Sequence, residues 1–565
     1  MGANSNWREG LRPERELILC CTHTRLDDAT TGRIREILRG PLSWSDVMAT
    51  AFDHHVDPFL YENLKLAGDG LVPAAWLDNM RDTARKSGGM AVLYFSELLR
   101  IYEIFEAEGV PLIPFKGPVL GWLAFRSLTR RRFLDLDFFV PQKHMPRAAV
   151  LLKAAGFEGK FERLDELAGR TGYVPGQYGF FREATRTQVE LHTERTLRYF
   201  PVPLDFEKMS RRLISVEMCG RKLRTFSIED TLVMLCVHGA KHFWDRLSWL
   251  LDVAELIAAQ PVDWPLTMRI AAKLKCTRLL LLGLYLAHDL LNASVPETIL
   301  EQARRDSNVQ WLAAKVRGEL AGGASPHMGI LPRAAFRFRS RDGVADGVGH
   351  MLRLATMPTE NDRRSVRLPK ALVPLYALVR PWKLIRQYGI GLRPGPRTDL
   401  AGFLPLRPEI VDHMLKFAAV KPGDVLYDLG CGDGRIVVAA AEKFGIHAVG
   451  VDIDPHRIAE AKANARKHGV QDHVRFLLGD AREIDMSEAT LVTMYLETRG
   501  NLRLSDVLKQ QLRPGARIVS CDSVIYGWPW DEREDYESAQ GEVTSLYLWR
   551  IGNSRPKDSG AATSL

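Results

Sequence analysis

One stretch, Asp424–Asp454, limits more than any other what the chain around it can fold into. It reads DVLYDLGCGDGRIVVAAAEKFGIHAVGVDID and holds two short apolar runs, Val425–Leu429 and Ala448–Val451, each ending in acidic or glycine residues. Between them, Arg435–Phe444 carries alanines and aliphatics at helical spacing. A strand, a glycine turn, a helix and a second parallel strand make a βαβ unit, the building block of a doubly wound sheet. Gly430, Gly432 and Gly434 let the turn bend tightly and let a ligand lie against bare backbone. The helix that follows points its free N–H groups at that ligand.

The acids narrow the ligand. A dinucleotide would lay its pyrophosphate over the glycines, where Asp428 and Asp433 would repel it. These carboxylates suit a cationic ligand with an amino group, and Asp452 is placed to accept two ribose hydroxyls. The pattern D-x-G-C-G-D-G followed by V-D-I-D resembles motif I and the next acidic strand of class I S-adenosylmethionine (SAM) methyltransferases. The resemblance implies a SAM site at Asp428, Gly430, Cys431, Gly432, Asp433, Gly434, Asp452 and Ile453. It adds Asp480, which would accept from the adenine amino group, with Ala481 flanking the ring.

At 565 residues the chain has ample core for about two to four domains. Its seven cysteines form no CxxC pair, which argues against a zinc site or a disulfide framework and for a reduced, cytoplasmic setting. The N-terminus has no apolar signal core and places Asn6 where myristoylation needs Ser or Thr. The longest apolar run, Leu279–Leu286, is too short to span a bilayer, so a soluble protein is expected. The net charge of +8 is concentrated: Leu331–Leu400 holds 14 Lys and Arg against 5 Asp and Glu, a balance of +9. That segment is either a solvated basic face or a surface for an anionic partner such as nucleic acid or a membrane.

Along the chain, residues 1–95 read as helical, with apolar spacing over Arg33–Leu38, Trp44–His54 and Trp76–Arg85. A helix from Ala91 to Gly109 leads into a strand, Val110–Phe115, that ends in Lys116–Gly117. Asp135 and Asp137 then alternate with Leu136 in a predicted strand, Phe133–Val140, which puts both carboxylates on one face. A later strand, Gln188–Leu191, presents Glu190 and is followed at once by His192. Two acids side by side are costly to bury unpaired, and a divalent ion held by Asp135, Asp137 and Glu190 resolves the conflict. A solvated edge strand is the alternative. His238 and His242, four apart on one helical face, fit either a metal pair or packing. Trp264–Gly323 reads as helical, Gly322–Ser325 and Gly343–Gly349 as loops.

This stretch resembles an uncharacterised bacterial nucleotidyltransferase family of polymerase-beta-like fold. The resemblance rests on Lys116–Gly117, on Arg132 leading into Asp135-Leu136-Asp137, on VELH at Val189–His192, on His238–Trp244 and on Trp249–Asp252. It extends to MPTENDRR (Met357–Arg364) and VRPWKLIRQYG (Val379–Gly389). It implies Mg²⁺ with a nucleoside triphosphate, catalysis by Asp135, Asp137 and Glu190, and nucleotide contacts from Lys116, Gly117 and Arg132. Active members carry Gly-Ser where this chain has Lys116–Gly117.

In the C-terminal half the expected elements are a helix at Leu406–Ala419, strands at Val474–Leu478, Ala489–Tyr495 and Ser545–Ile551, a turn plus strand at Arg513–Ser520, and a helix at Leu502–Leu512. The end of the fourth strand, Tyr495-Leu496-Glu497-Thr498, should face the methyl group, with Tyr495 at the cofactor. Glu497 is either a proton acceptor or a structural residue. YDLGCGDGRIVVAAA, MYLE and VIYGWPW resemble a compact prokaryotic family whose eukaryotic relatives are mitochondrial protein-lysine methyltransferases.

The fold expected is α/β and multidomain: an α+β nucleotidyltransferase-like domain with helical extensions, then a doubly wound Rossmann-like methyltransferase sheet. The divisions are a helical region at 1–95, the nucleotidyltransferase-like core at 96–260, and a helical, basic extension at 261–390. A linker at 391–404, the methyltransferase domain at 405–552 and a disordered tail at 553–565 complete the chain. Three functional readings follow. Both halves are enzymes, with an unknown protein or small-molecule methyl acceptor; the first half is a non-catalytic recognition module; or the basic segment makes the chain a nucleic-acid adaptor.

Overall fold

The computed structural model describes residues 10–68, 70–159, 176–194, 206–321, 330–356, 405–537 and 543–552. The chain divides into two compact units. One comprises Met1–Leu42, Asp53–Val72 and Met80–Gly395, and the other Ser43–Phe52, Pro73–Asn79 and Pro396–Leu565. The linker at 391–404, the tail at 553–565, MPTENDRR, VRPWKLIRQYG and the loop Gly322–Ser325 lie outside the described residues. No described helix is long and apolar enough to cross a membrane.

In the first unit the early residues are helical: Pro13–Cys21, Asp28–Leu38 and Asp57–Ala67. The second of these starts where Asp27 accepts a hydrogen bond from the Thr30 amide, as an N-cap should. The two helices expected over Trp76–Arg85 and Ala91–Gly109 are one, Ala74–Ala107, continuous through Gly88 and Gly89. The strands β1 (Ile113–Pro114), β2 (Leu136–Phe139), β3 (Glu158–Gly159), β4 (Gln177–Arg182) and β5 (Thr187–His192) form a sheet in the order β1-β2-β5-β4-β3. Among these described strands only the β2–β5 pair is parallel.

The strand expected at Phe133–Val140 therefore starts three residues late, and Asp135 precedes it. The neighbouring arginines give a reason. Arg130, Arg131 and Arg132 pair with Glu62, Asp252 and Asp57, which holds this part of the chain away from ladder geometry. A hairpin, β6 (Ile214–Met218) and β7 (Arg221–Thr225), joins the sheet edge where Thr225 donates to the Pro114 carbonyl at 2.7 Å.

Six described helices follow between Ile228 and Ala321, the later ones as the helical reading of Trp264–Gly323 expects, and Thr277–Leu291 buries the apolar run Leu279–Leu286. Gly343–Gly349, expected as a loop, instead opens the helix Val344–Thr356. Its Gly347 lets Phe338 pack where a Cβ would come within 2.9 Å of that ring. Three of the described arginines of the basic segment are engaged by neighbouring side chains. Arg337 lies 5.2 Å over Phe243, Arg339 4.8 Å over Trp311, and Arg341 pairs with Asp346.

The second unit is a seven-stranded sheet. After the helix Pro408–Phe417 come β8 (Val425–Leu429), β9 (His447–Asp452), β10 (Val474–Leu478), β11 (Leu491–Met494), β12 (Arg517–Cys521), β13 (Glu532–Glu537) and β14 (Val543–Arg550). Their order is β10-β9-β8-β11-β12-β14-β13, parallel from β10 to β12 and antiparallel beyond. Helices cover both faces. Pro408–Phe417, Arg435–Phe444 and Pro455–Lys467 bury their aliphatics in one core, while Leu504 and Leu508 of the helix Thr498–Gln511 enter the other. Strand order reverses across β8, with β9 on one side and β11 on the other, which opens a crevice at the carboxyl ends of these strands.

Candidate active sites

The glycine loop after β8 is built from backbone. Gly430, Gly432 and Gly434 have φ of +84°, +55° and +76°, a region that other residues adopt at a cost. The amides of Gly430 and Cys431 both donate to the Val451 carbonyl, at 2.9 and 3.0 Å, which ties the loop to the end of β9. A Cβ on Gly430 would meet Leu496 at 2.7 Å, and one on Gly434 would meet Ala461 and Phe476 at 2.8 Å. Leu496, in the expected methyl-facing segment, thus fills the space a side chain at Gly430 would need; a leucine between two polar residues gives that role no sequence signal.

The loop and the following turn orient the Asp452 carboxylate. It accepts from the Gly432 amide at 2.8 Å and from the Asp454 amide at 2.9 Å. Asp428 is 2 % exposed and accepts from Thr493, its register partner on β11, at 2.9 Å. Burial, with the carboxylates of Asp452 and Asp433 adding to it, pushes the Asp428 pKa up to about 7. Asp433 differs: its two oxygens are forked by Arg435 on the next helix, and its pKa is lowered despite burial. Asp480 pairs in the same way with Arg482 at 2.6 Å. Ala481 is buried, and Ile453 and Tyr495 are half-buried. Glu497 is 62 % exposed on its side chain, lies 3.4 Å from Arg499, and stands at the N-cap of the helix Thr498–Gln511.

The first unit holds a cavity of about 360 Å³. Among its lining residues are Lys116, Arg132, Asp135, Asp137, Glu190 and His192, so three separate stretches of the chain come together. The β2–β5 register sets Asp137 beside Glu190, and the strand period puts His192 on the same face two residues on. His192 Nε2 lies 2.7 Å from Asp137 Oδ1 and 3.6 Å from Glu190 Oε2. Lys116 Nζ lies 3.4 Å from the same Asp137 oxygen and 3.4 Å from His238 Nδ1. Lys116 and His192 hold the Asp137 carboxyl well below the usual carboxylate range against the opposing effect of burial.

Asp137, Glu190 and His192 offer ligand atoms that all lie within 4.8 Å of one another, a group that does not include Asp135. Asp135, driven up to about 7 by burial and by its acidic neighbours Asp137 and Glu190, lines the cavity beside them. The helix Ile228–Lys241 and its C-terminal turn serve two purposes. Gly239 makes room for the fully buried Trp244, while His238, Lys241 and His242 line the cavity with Trp249. The rings of His238 and His242 are 4.8 Å apart and lie 5.4 and 5.0 Å from Trp249. Both imidazoles are held neutral, chiefly by burial. Gly117 opens a helix at φ +55°, and Arg132 Nη1 donates to Asp57 at 3.4 Å.

Two families match the chain. Residues 40–292 match a family described as uncharacterised nucleotidyltransferase, and residues 428–532 match the ANTKMT methyltransferase domain. A protein-lysine N-methyltransferase of Saccharolobus islandicus is 42 % identical over 152 residues, covering 26 % of this chain and 93 % of that protein. A human ATP synthase lysine N-methyltransferase is 25 % identical over 194 residues, 34 % of this chain and 76 % of that protein. A solved structure of an RNA methyltransferase from Salinibacter ruber, in complex with S-adenosyl-L-homocysteine, is 42 % identical with a TM-score of 0.26 and covers 28 % of this chain and all of that one. Through its C-terminal domain the chain thus belongs to the ANTKMT-type methyltransferase family, a SAM-dependent methyltransferase domain fused here to a nucleotidyltransferase-like domain.

Proposed function

We propose that the C-terminal domain methylates the side-chain nitrogen of a protein lysine, and that the N-terminal domain binds a divalent ion with a nucleoside triphosphate. The likeness to the archaeal protein-lysine N-methyltransferase, over nearly all of that protein, carries the first half. The residues fit the cofactor. Asp428 is buried beside two other carboxylates and has no ion pair among the described residues, so it suits a ligand's ammonium group. Asp433 spends its charge on Arg435, which leaves Asp428 as the acid for that group.

When bound, SAM supplies a methyl group already activated on sulfur, so the protein's task is alignment in a dry site. Asp452, steadied by two amides, accepts the ribose hydroxyls. The backbone of Gly430, Cys431, Gly432 and Gly434 would hold the ligand against the loop, Ile453, Asp480 and Ala481 would hold the adenine, and Tyr495 would stand at the methyl group. The test uses the intact protein, SAM labelled on its methyl group and a protein mixture freed of small molecules, followed by acid hydrolysis. Label recovered as methyl-lysine supports the proposal; label in another amino acid, or in nucleoside from added RNA, overturns it.

For the N-terminal half, Asp135, Asp137 and Glu190 are the carboxylates available to an ion, and Lys116, Gly117 and Arg132 face the phosphates. Lys116 neutralises Asp137, and it would turn to a phosphate once a divalent ion took over that role. The same ion pair favours a second reading, a recognition domain in which Lys116 replaces the metal. Calorimetric titration with each nucleoside triphosphate and divalent ion separates the two. Binding that Asp137→Asn abolishes supports the first, and no binding leaves the second.

A further inference from the structure

We infer that the N-terminal cavity takes its divalent ion through Asp137, Glu190 and His192, a mixed oxygen and nitrogen set that selects a first-row transition-metal ion over Mg²⁺. The inference rests on the metal-binding reading of this cavity but on no nucleotide. The sequence pattern V-E-L-H alternates Glu190 and His192 onto one face of β5, and parallel pairing brings Asp137 alongside Glu190. Ligand atoms about 2.1 Å from a common ion lie roughly 3.0 Å apart at a right angle and roughly 3.4 Å apart in a tetrahedron. His192 Nε2 lies 3.6 Å from Glu190 Oε2, close to those values, and 2.7 Å from Asp137 Oδ1, a hydrogen bond that an ion between the two groups would replace.

The imidazole is held in place. Phe115 packs edge-on against it with ring centroids 5.2 Å apart, and the Val140 amide donates to the His192 carbonyl at 2.8 Å. The three groups border a space of about 360 Å³ that Lys241, Arg246 and Trp249 also line, so there is room for an anion to share the ion. Asp135, which an all-carboxylate site would use, stands outside the 4.8 Å group and precedes β2, which starts at Leu136. Mg²⁺ prefers oxygen donors and retained water, whereas imidazole suits iron, nickel, copper and zinc; Mn²⁺, the weakest binder of the first-row divalent ions, is therefore the most stringent probe of a preference over Mg²⁺.

The experiment titrates the intact protein with Mn²⁺ alone and follows loss of the free-ion signal by electron paramagnetic resonance. Spin-echo modulation then reports whether a ¹⁴N nucleus is directly bound. The expected result is binding with nitrogen modulation, and at least tenfold weaker competition by Mg²⁺ (about 1.4 kcal/mol). In His192→Gln the modulation should vanish and Mn²⁺ should bind at least about tenfold more weakly. His192→Asp offers oxygen at the same place. It should keep Mn²⁺ binding, lose the nitrogen signal and bring the affinities for Mn²⁺ and Mg²⁺ together. Circular dichroism and denaturant unfolding report whether either variant is folded. Failure of the parent to bind Mn²⁺, binding without nitrogen, or nitrogen modulation that persists in both variants would each overturn the inference. Metal binding as expected with no nucleotide affinity would sink only the nucleotidyltransferase reading.

Discussion

Each candidate site stands on a pair of parallel strands, β8 with β9 and β2 with β5, yet the two are made of different material. The C-terminal site is a main-chain object. Three glycines in left-handed conformation shape it, and amides rather than side chains aim Asp452. The N-terminal site is a side-chain object, in which Lys116, His192 and Asp137 balance one another and Arg131 locks Asp252 with two hydrogen bonds of 2.7 and 2.9 Å. A main-chain site should fail when residue size changes, and a side-chain site when charge changes.

The sharpest test is to give each site the same methyl group. In Gly434→Ala the new Cβ meets Ala461 and Phe476 at 2.8 Å with φ at +76°. Backbone strain of about 1–2 kcal/mol and overpacking of about 1–3 kcal/mol should together cost about 2–5 kcal/mol. SAM binding should be lost, and denaturant unfolding of the C-terminal domain should show the loss of stability. Gly117→Ala has φ +55° but only an ordinary contact, 3.4 Å to the Asp135 carbonyl. It should cost about 1–2 kcal/mol and leave SAM affinity unchanged. Equal costs at the two positions would break the comparison.

Next in size is Asp452→Ala, which removes the acceptor of two amides and the proposed ribose contact. Calorimetry should find SAM bound roughly 10- to 100-fold more weakly, from loss of about 1.5–3 kcal/mol in charge-assisted hydrogen bonding. Parental affinity would mean the ribose lies elsewhere. Asp428 gives a pH signature. Its pKa stands at about 7 in the fold, chiefly through burial, against about 3.9 when unfolded. The protonated form is thus the favoured one in the fold. Its contribution to stability is complete below about pH 4 and falls away as pH rises to about 7. An ammonium-bearing ligand wants the ionised form, so SAM affinity should rise by up to about tenfold per pH unit until about pH 7 and then level. Asp428→Asn should flatten the profile; a flat profile in the parent would remove Asp428 from the amino-group role.

The contrast also explains what the sequence could reveal. Gly430 to Gly434, Asp428 and Asp452 lie within one stretch, and the backbone conformations that bring them together are local, so spacing alone was enough. The N-terminal cavity joins Lys116, Asp137, His192 and His238, which only the sheet and the helix Ile228–Lys241 bring together. Alternation pointed to Asp135 and Asp137 as a pair, but three arginines with distant acidic partners shortened the strand, and nothing local announces those partners. β13, reading EREDYE, was equally silent: an edge strand exposed along most of its length has no apolar alternation to betray it. Asp433 was legible as an acid in the loop but not as one already spent on Arg435, since a fork between neighbours depends on side-chain direction.

The smallest expected effect comes from Glu497→Gln, and it bears directly on how methyl transfer is completed. An acid that takes a proton from an attacking amine must be sheltered enough for its basicity to be tuned, and held within hydrogen-bond reach of the acceptor. Glu497 has a 62 % exposed side chain and an ion pair of 3.4 Å with Arg499, and it contributes its carbonyl to the first turn of the helix Thr498–Gln511. An exposed pair of this kind is worth about 0–1 kcal/mol, so neither stability nor SAM affinity should move measurably. The turnover rate should change by less than about threefold, which corresponds to about 0.65 kcal/mol in the barrier. A fall of a hundredfold, together with loss of an ionisation from the rate profile, would instead make this carboxylate the proton acceptor. Side-chain chemistry would then act at a site otherwise built of backbone.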